Sequence, residues 1–133
     1  MIEQEILTGK VVRGADRGKD LGFPTANLDI PSRTLSRTGV YAVWARIEGE
    51  QRWRPAAANI GFNPTFDEKT KKLEVHLLDF SGDLYGKTLA ILPVAYLRPE
   101  KRFRTAAKLI RRMRRDCRRA ARLLARSARS APP

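Results

Sequence analysis

Cysteine and histidine are almost absent: 133 residues include one of each, Cys117 and His76. A lone cysteine closes no internal disulfide, and one Cys with one His builds no zinc cluster. Cys117 therefore reads as a small apolar residue on a helix. Long apolar runs are missing as well, since no stretch approaches the roughly 18 residues that a bilayer span requires. The opening Met1-Ile2-Glu3-Gln4-Glu5 has no basic region followed by an apolar one, so no secretory leader is expected and a cytoplasmic location is. Aromatic residues make up only 8% of the chain and are scattered rather than interleaved with charge. That counts against a barrel surface built to stack bases.

Acidic residues are scarce in one region only. Residues 1–100 hold 14 Lys and Arg against 13 Asp and Glu, whereas residues 101–133 hold 13 against one. The net charge of +13 thus belongs almost wholly to the end of the chain. Clustered Arg and Lys neutralise phosphates and release counterions. A solvated outer helix face and weak polyanion binding both fit such a segment. With 42% apolar and 31% charged residues, the chain has the balance of one globular domain spanning residues 1–133, expected to be a monomer.

All nine glycines fall in the first 100 residues, between short runs rich in Val, Ile, Leu, Tyr and Trp. Such punctuation predicts strands and turns, an all-β body over about residues 5–100. Candidate strands are Ile6–Val12, Val40–Ile47, Arg54–Ile60, Lys72–Phe80 and Thr88–Tyr96. In the fourth, alternation places Leu73, Val75 and Leu77 on one face and Glu74 and His76 on the other. Pro93 has no N–H to give a ladder, which predicts an edge or a bulge there. Ile30–Thr38 reads as a linker-like loop. From Thr105 the period becomes helical: Leu109, Ile110, Met113, Cys117, Ala120, Ala121 and Leu124 form a stripe facing the barrel. Thr105 is the expected N-cap, the helix should run over about 105–126, and residues 127–133 read as a frayed tail. Short antiparallel strands with one closing helix predict a small closed barrel.

Two segments carry potential chemistry. Gly14, Gly18 and Gly22 are spaced four apart around Arg17 and Lys19, so backbone N–H groups and cations could meet a phosphate, although an ordinary tight hairpin would use the same residues. This is not a Walker loop, because Gly18-Lys19 is followed by Asp20 and Pro24 forces an extended path. Thr25 and Asn27, two apart on an extended stretch, offer neutral oxygens to a magnesium ion whose charge a nucleotide would balance. A local turn capped by the same side chains is the plainer alternative.

Gly9-Lys-Val-Val-Arg-Gly14, Leu21-Gly-Phe-Pro-Thr-Ala-Asn-Leu28, Thr38-Gly-Val-Tyr41, Ala58-Asn-Ile-Gly-Phe-Asn-Pro64, Leu73-Glu-Val-His-Leu-Leu-Asp-Phe80, Asp83-Leu-Tyr-Gly86 and Tyr96-Leu-Arg-Pro-Glu-Lys-Arg-Phe103, in this order, closely resemble the riboflavin kinase family. The resemblance implies a six-stranded Greek-key β-barrel with a C-terminal α-helix. It also implies transfer of the γ-phosphoryl group of ATP, with Mg2+ or another divalent cation, to the ribityl 5′-hydroxyl of riboflavin, giving FMN and ADP. Residue by residue, it makes Glu74 the catalytic base and Thr25 and Asn27 the metal and phosphate ligands. Gly14, Gly18, Lys19, Gly22 and Pro24 would cover the nucleotide, with Asn59 and Asn63 in a loop beside it. Arg98, Glu100 and Phe103 would close over the flavin.

The physical reading of Glu74 agrees, because phosphoryl transfer needs a carboxylate to orient the hydroxyl and accept its proton. His76 reads as structural or nucleotide-adjacent. Bacterial relatives commonly carry a preceding adenylyltransferase domain, whereas this chain starts almost at the first strand, so FAD synthesis is not expected. The arginine-dense helix departs from the family, and the competing functional reading is a basic nucleic-acid-binding barrel that uses this helix.

Overall fold

The computed structural model describes residues 5–12, 25–31, 37–62, 70–78 and 80–126. Six strands and one helix follow one another: β1 (Leu7–Val12), β2 (Ala26–Pro31), β3 (Gly39–Ile47), β4 (Trp53–Phe62), β5 (Thr70–Leu77), β6 (Thr88–Arg98) and α1 (Ala106–Arg126). All pairings are antiparallel, and the sheet closes in the order β1-β2-β5-β4-β3-β6. The run β6-β3-β4-β5 is a Greek key, since three successive strands are flanked by the fourth lying beside the first.

One expectation is corrected, and of the edge or bulge expected at Pro93 the bulge is what occurs. The chain has six strands where composition suggests five. The extra one, β2, occupies Ala26–Pro31, so Ile30 and Pro31 end a strand rather than open a loop. Asn27, Asp29 and the terminal Pro31 disguise its alternation, yet Ala26, Leu28 and Ile30 are all buried in the barrel interior. Pro93 lies on no edge, because the barrel is closed. The β3–β6 register instead skips a residue between Ala42↔Ala95 and Val43↔Pro93, so Val94 is bulged beside the proline. The pairing of β6 with β1 ends at Leu7↔Ile91, so the missing N–H of Pro93 removes no bond from that ladder.

Alternation sorts the side chains into two cores. Leu28, Ile30, Val43, Ile47, Ile60, Leu73, Leu89 and Ile91 fill the barrel interior. The outward residues Val40, Ala42, Trp44, Ala57 and Leu97 pack with Ala120 and Leu124 of α1. The helix is therefore a lid over the outer surface of β3, β4 and β6. Thr105 caps it as expected, its Oγ1 accepting the Lys108 N–H at 3.2 Å. The inward stripe differs from expectation at two positions: Ala121 faces solvent and Asp116 is buried.

Candidate active site

A single row of cross-strand partners organises the outer surface. Val12 pairs with Asn27, Asn27 with Glu74, Glu74 with Asn59, Asn59 with Val40, and Val40 with Arg98. Directly opposed residues share a face, so one belt crosses all six strands and sets Glu74 between two carboxamides. Thr25 immediately precedes β2, two residues before Asn27.

Between this belt and α1 lies a cleft of about 90 Å³. Asn59, Glu74, His76, Arg98 and Phe103 line it, and Val40, Leu109 and Met113 give it an apolar wall. Glu74 is half exposed, and its Oε1 meets Lys72 Nζ at 3.2 Å. Asn59 is on β4 rather than in a loop, which corrects the expectation for it. Its Oδ1 is buried with no hydrogen-bond partner among the described residues. Burying an acceptor without a donor is costly, so this atom marks a position where a ligand's N–H or O–H fits. Asn27 is only 4% exposed, although it belongs to the outer belt.

Arg98 is committed to the scaffold. It ends β6 instead of belonging to a closing segment, and its Nε and Nη2 donate to both carboxylate oxygens of Asp116 at 2.7–3.2 Å. Its Nη1 donates to the Pro99 carbonyl oxygen, and its guanidinium lies 5.9 Å from the centre of the Phe103 ring. Arg112 approaches the same carboxylate at 3.6 Å, while Arg119 donates to the Leu97 carbonyl oxygen at 2.8 Å. Glu100 is exposed and outside the cleft wall; its carboxylate rests on Gly61, where a Cβ would collide with it. Gly14, Gly18, Lys19, Gly22, Pro24 and Asn63 lie outside the described residues.

The sequence reading missed Asp116 as the anchor of Arg98, and assigned Leu109 and Met113 only to packing. Asp116 was detectable: it is the sole acid after Glu100, and its helical phase falls between Met113 and Ala120 on the inward stripe. Next to it, the Cys117 thiol is pushed up to about 11, chiefly by burial and secondarily by the Asp116 charge, with Arg118 opposing.

A closed six-stranded Greek-key barrel, with a carboxylate in a belt of amides under a helical lid, defines the class of small barrel domains to which the molecule belongs. The family model described as Flavokinase: Riboflavin kinase matches residues 3–124, and the chain belongs to the riboflavin kinase family. It is 46% identical over 98 residues to a bifunctional riboflavin kinase/FMN adenylyltransferase of Pseudomonas fluorescens, covering 73% of this chain and 31% of the relative. It is 37% identical over 112 residues to an RNA-binding riboflavin kinase of Bacillus subtilis, covering 84% and 47% respectively. The chain thus spans a third to a half of these relatives. A riboflavin kinase structure from Trypanosoma brucei shares the fold at a TM-score of 0.67 and 24% identity, covering 100% of this chain and 94% of that one.

Proposed function

We propose that this chain phosphorylates riboflavin at the ribityl 5′-hydroxyl with ATP, releasing FMN and ADP. The observation that carries the reading is the belt: Glu74 stands between Asn27 and Asn59 on adjacent strands and opens onto a cleft with an apolar wall and one aromatic ring, Phe103. A carboxylate there is within one residue's reach of the oxygens that would hold the phosphates. Glu74 orients the hydroxyl and takes its proton as the bond to phosphorus forms.

Thr25 and Asn27 fit a divalent cation such as Mg2+ through neutral oxygens. Among the described residues no group of three or more His, Cys, Asp or Glu could hold a metal; a nucleotide's phosphates would bring the balancing charge to the neutral pair, as magnesium prefers. The cation would supply charge neutralisation on the transferred group. The segment carrying Gly14, Gly18, Lys19, Gly22 and Pro24, together with Asn63, is assigned to the nucleotide by family resemblance.

Phe103 is assigned to the flavin ring. A cleft of about 90 Å³ is small beside the roughly 300 Å³ or more of ordinary ligand pockets, so flavin entry displaces the segment that carries Phe103. Glu100, at the rim on Gly61, moves with that segment, and Arg98 serves by holding the helix. A nucleic-acid-binding barrel as the principal function is not favoured, since the family match runs through both barrel and helix. No described helix is long and apolar enough to cross a membrane; the proposed setting is a cytoplasmic monomer.

The test is turnover of riboflavin to FMN by purified protein with ATP and magnesium. Glu74→Gln should lower kcat on the order of 10²- to 10⁴-fold, with the unfolding midpoint unchanged. Wild-type turnover in that variant would remove Glu74 from the mechanism.

A further inference from the structure

The outer face of α1 carries a feature that the phosphoryl-transfer reading leaves unused. Lys108, Arg111, Arg115, Arg118, Arg122 and Arg126 are all exposed. Their spacing of three or four residues places them in one stripe, about 27 Å long at the rise of an α-helix. The only acid of the helix, Asp116, is buried on the opposite side and already shared by Arg98 and Arg112. Neighbouring cations in the stripe repel one another, and among the described residues no acid of the helix lies on that face to offset them. At its N-terminal end the stripe forms one wall of a groove of about 610 Å³, whose other wall is Lys101, Arg102 and Arg104, with Phe103 between them.

We infer that this groove and stripe bind the phosphodiester backbone of a nucleic acid. A linear row of cations suits a linear polyanion, because each bound phosphate relieves repulsion in the free protein as well as adding its own attraction. Five of the six stripe residues are arginine, whose planar fork engages phosphate oxygens in pairs. An aromatic ring among cations is the arrangement on which an unpaired base stacks. A lipid surface fits less well: an interfacial helix inserts its apolar face, and here Ala120 and Leu124 of that face are packed on the barrel. Stripe residues Arg111, Arg115 and Arg118 do not line the candidate active-site cleft. The arginine stripe is therefore separate from the proposed phosphoryl transfer, while Lys101 and Phe103 line both the groove and the cleft.

Fluorescence anisotropy of labelled 20-nucleotide single-stranded RNA, the matching DNA and their duplexes, titrated with the full chain without substrates, tests this. With about five phosphates neutralised, single-strand binding seen at 50 mM salt should weaken on the order of 100-fold by 200 mM. Combined Arg111→Gln, Arg115→Gln and Arg118→Gln should cut the slope of log K against log salt by about two. The corresponding Lys substitutions should leave that slope in place, and riboflavin phosphorylation should be unchanged in both triple variants. Equal affinity for RNA and DNA supports a backbone site, and a preference for RNA supports one with added 2′-hydroxyl contacts. No binding at 50 mM salt, an unaltered slope in the Gln variant, or binding only to phosphatidylglycerol vesicles overturns the inference.

Discussion

Arg98, the last residue of β6, grips both carboxylate oxygens of Asp116, 18 residues further on and in the middle of α1. Their side chains are only 11% and 9% exposed, so the pair is close to the buried limit, where the net gain over an apolar pair is small but an orphaned charge is expensive. The contact fixes where the lid sits on the barrel, and with it the width of the cleft beneath.

Removing the acid alone should therefore cost far more than removing the pair. Asp116→Asn leaves Arg98 and Arg112 facing each other, and urea unfolding should show a loss of about 3 kcal/mol or more. Arg98→Met combined with Asp116→Leu should recover most of that loss. Equal losses in single and double variants would show that the pair does not act as a unit.

Asn59 makes the opposite prediction. Its Oδ1 has no partner among the described residues, so Asn59→Ala removes an unsatisfied acceptor and should leave stability unchanged or raise it by up to about 1 kcal/mol. The rise in Tm produced by riboflavin or ATP should shrink in the same variant. A less stable protein with an undiminished ligand response would show that the carboxamide serves the scaffold.

Cys117 should be a poor nucleophile. Burial first, and Asp116 second, raise its thiol from 9.0 to about 11, so thiolate is scarce at neutral pH. Iodoacetamide at pH 8 should modify the folded protein much more slowly than the urea-unfolded chain, and the folded rate should climb as pH approaches 11. Because the folded value lies above the unfolded one, the protonated thiol's contribution to stability is intact below about pH 9 and lost as pH rises through about 11. Rapid modification of folded protein at pH 8 would mean that α1 lifts from the barrel.

The barrel's strongest elements were legible because their chemistry is local. The alternation of Leu73, Val75 and Leu77 against Glu74 and His76 is a period of two written in a few residues, and the helix from Thr105 announces itself by its cap and its period. Strand β2 was hidden because three of its six residues, Asn27, Asp29 and Pro31, are common turn formers. Only its pairing with β1 and β5 makes them a strand. The approach of Glu74 to Asn27 and Asn59 depends on the order β2-β5-β4, which is not local, and family resemblance rather than periodicity anticipated their association. Asp116 went unnoticed because a carboxylate on an apolar stripe looks like a lapse in the pattern until its partner on β6 is known.

The belt from Val12 to Arg98 draws one residue from each of six segments scattered over most of the chain, and no two of them are neighbours in sequence. Nothing resembling it survives in a fragment, so a truncated or half-assembled chain should be inert rather than weakly competent. Any activity hosted there should vanish together with the barrel as the protein is heated, which makes turnover a faithful thermometer of the native population.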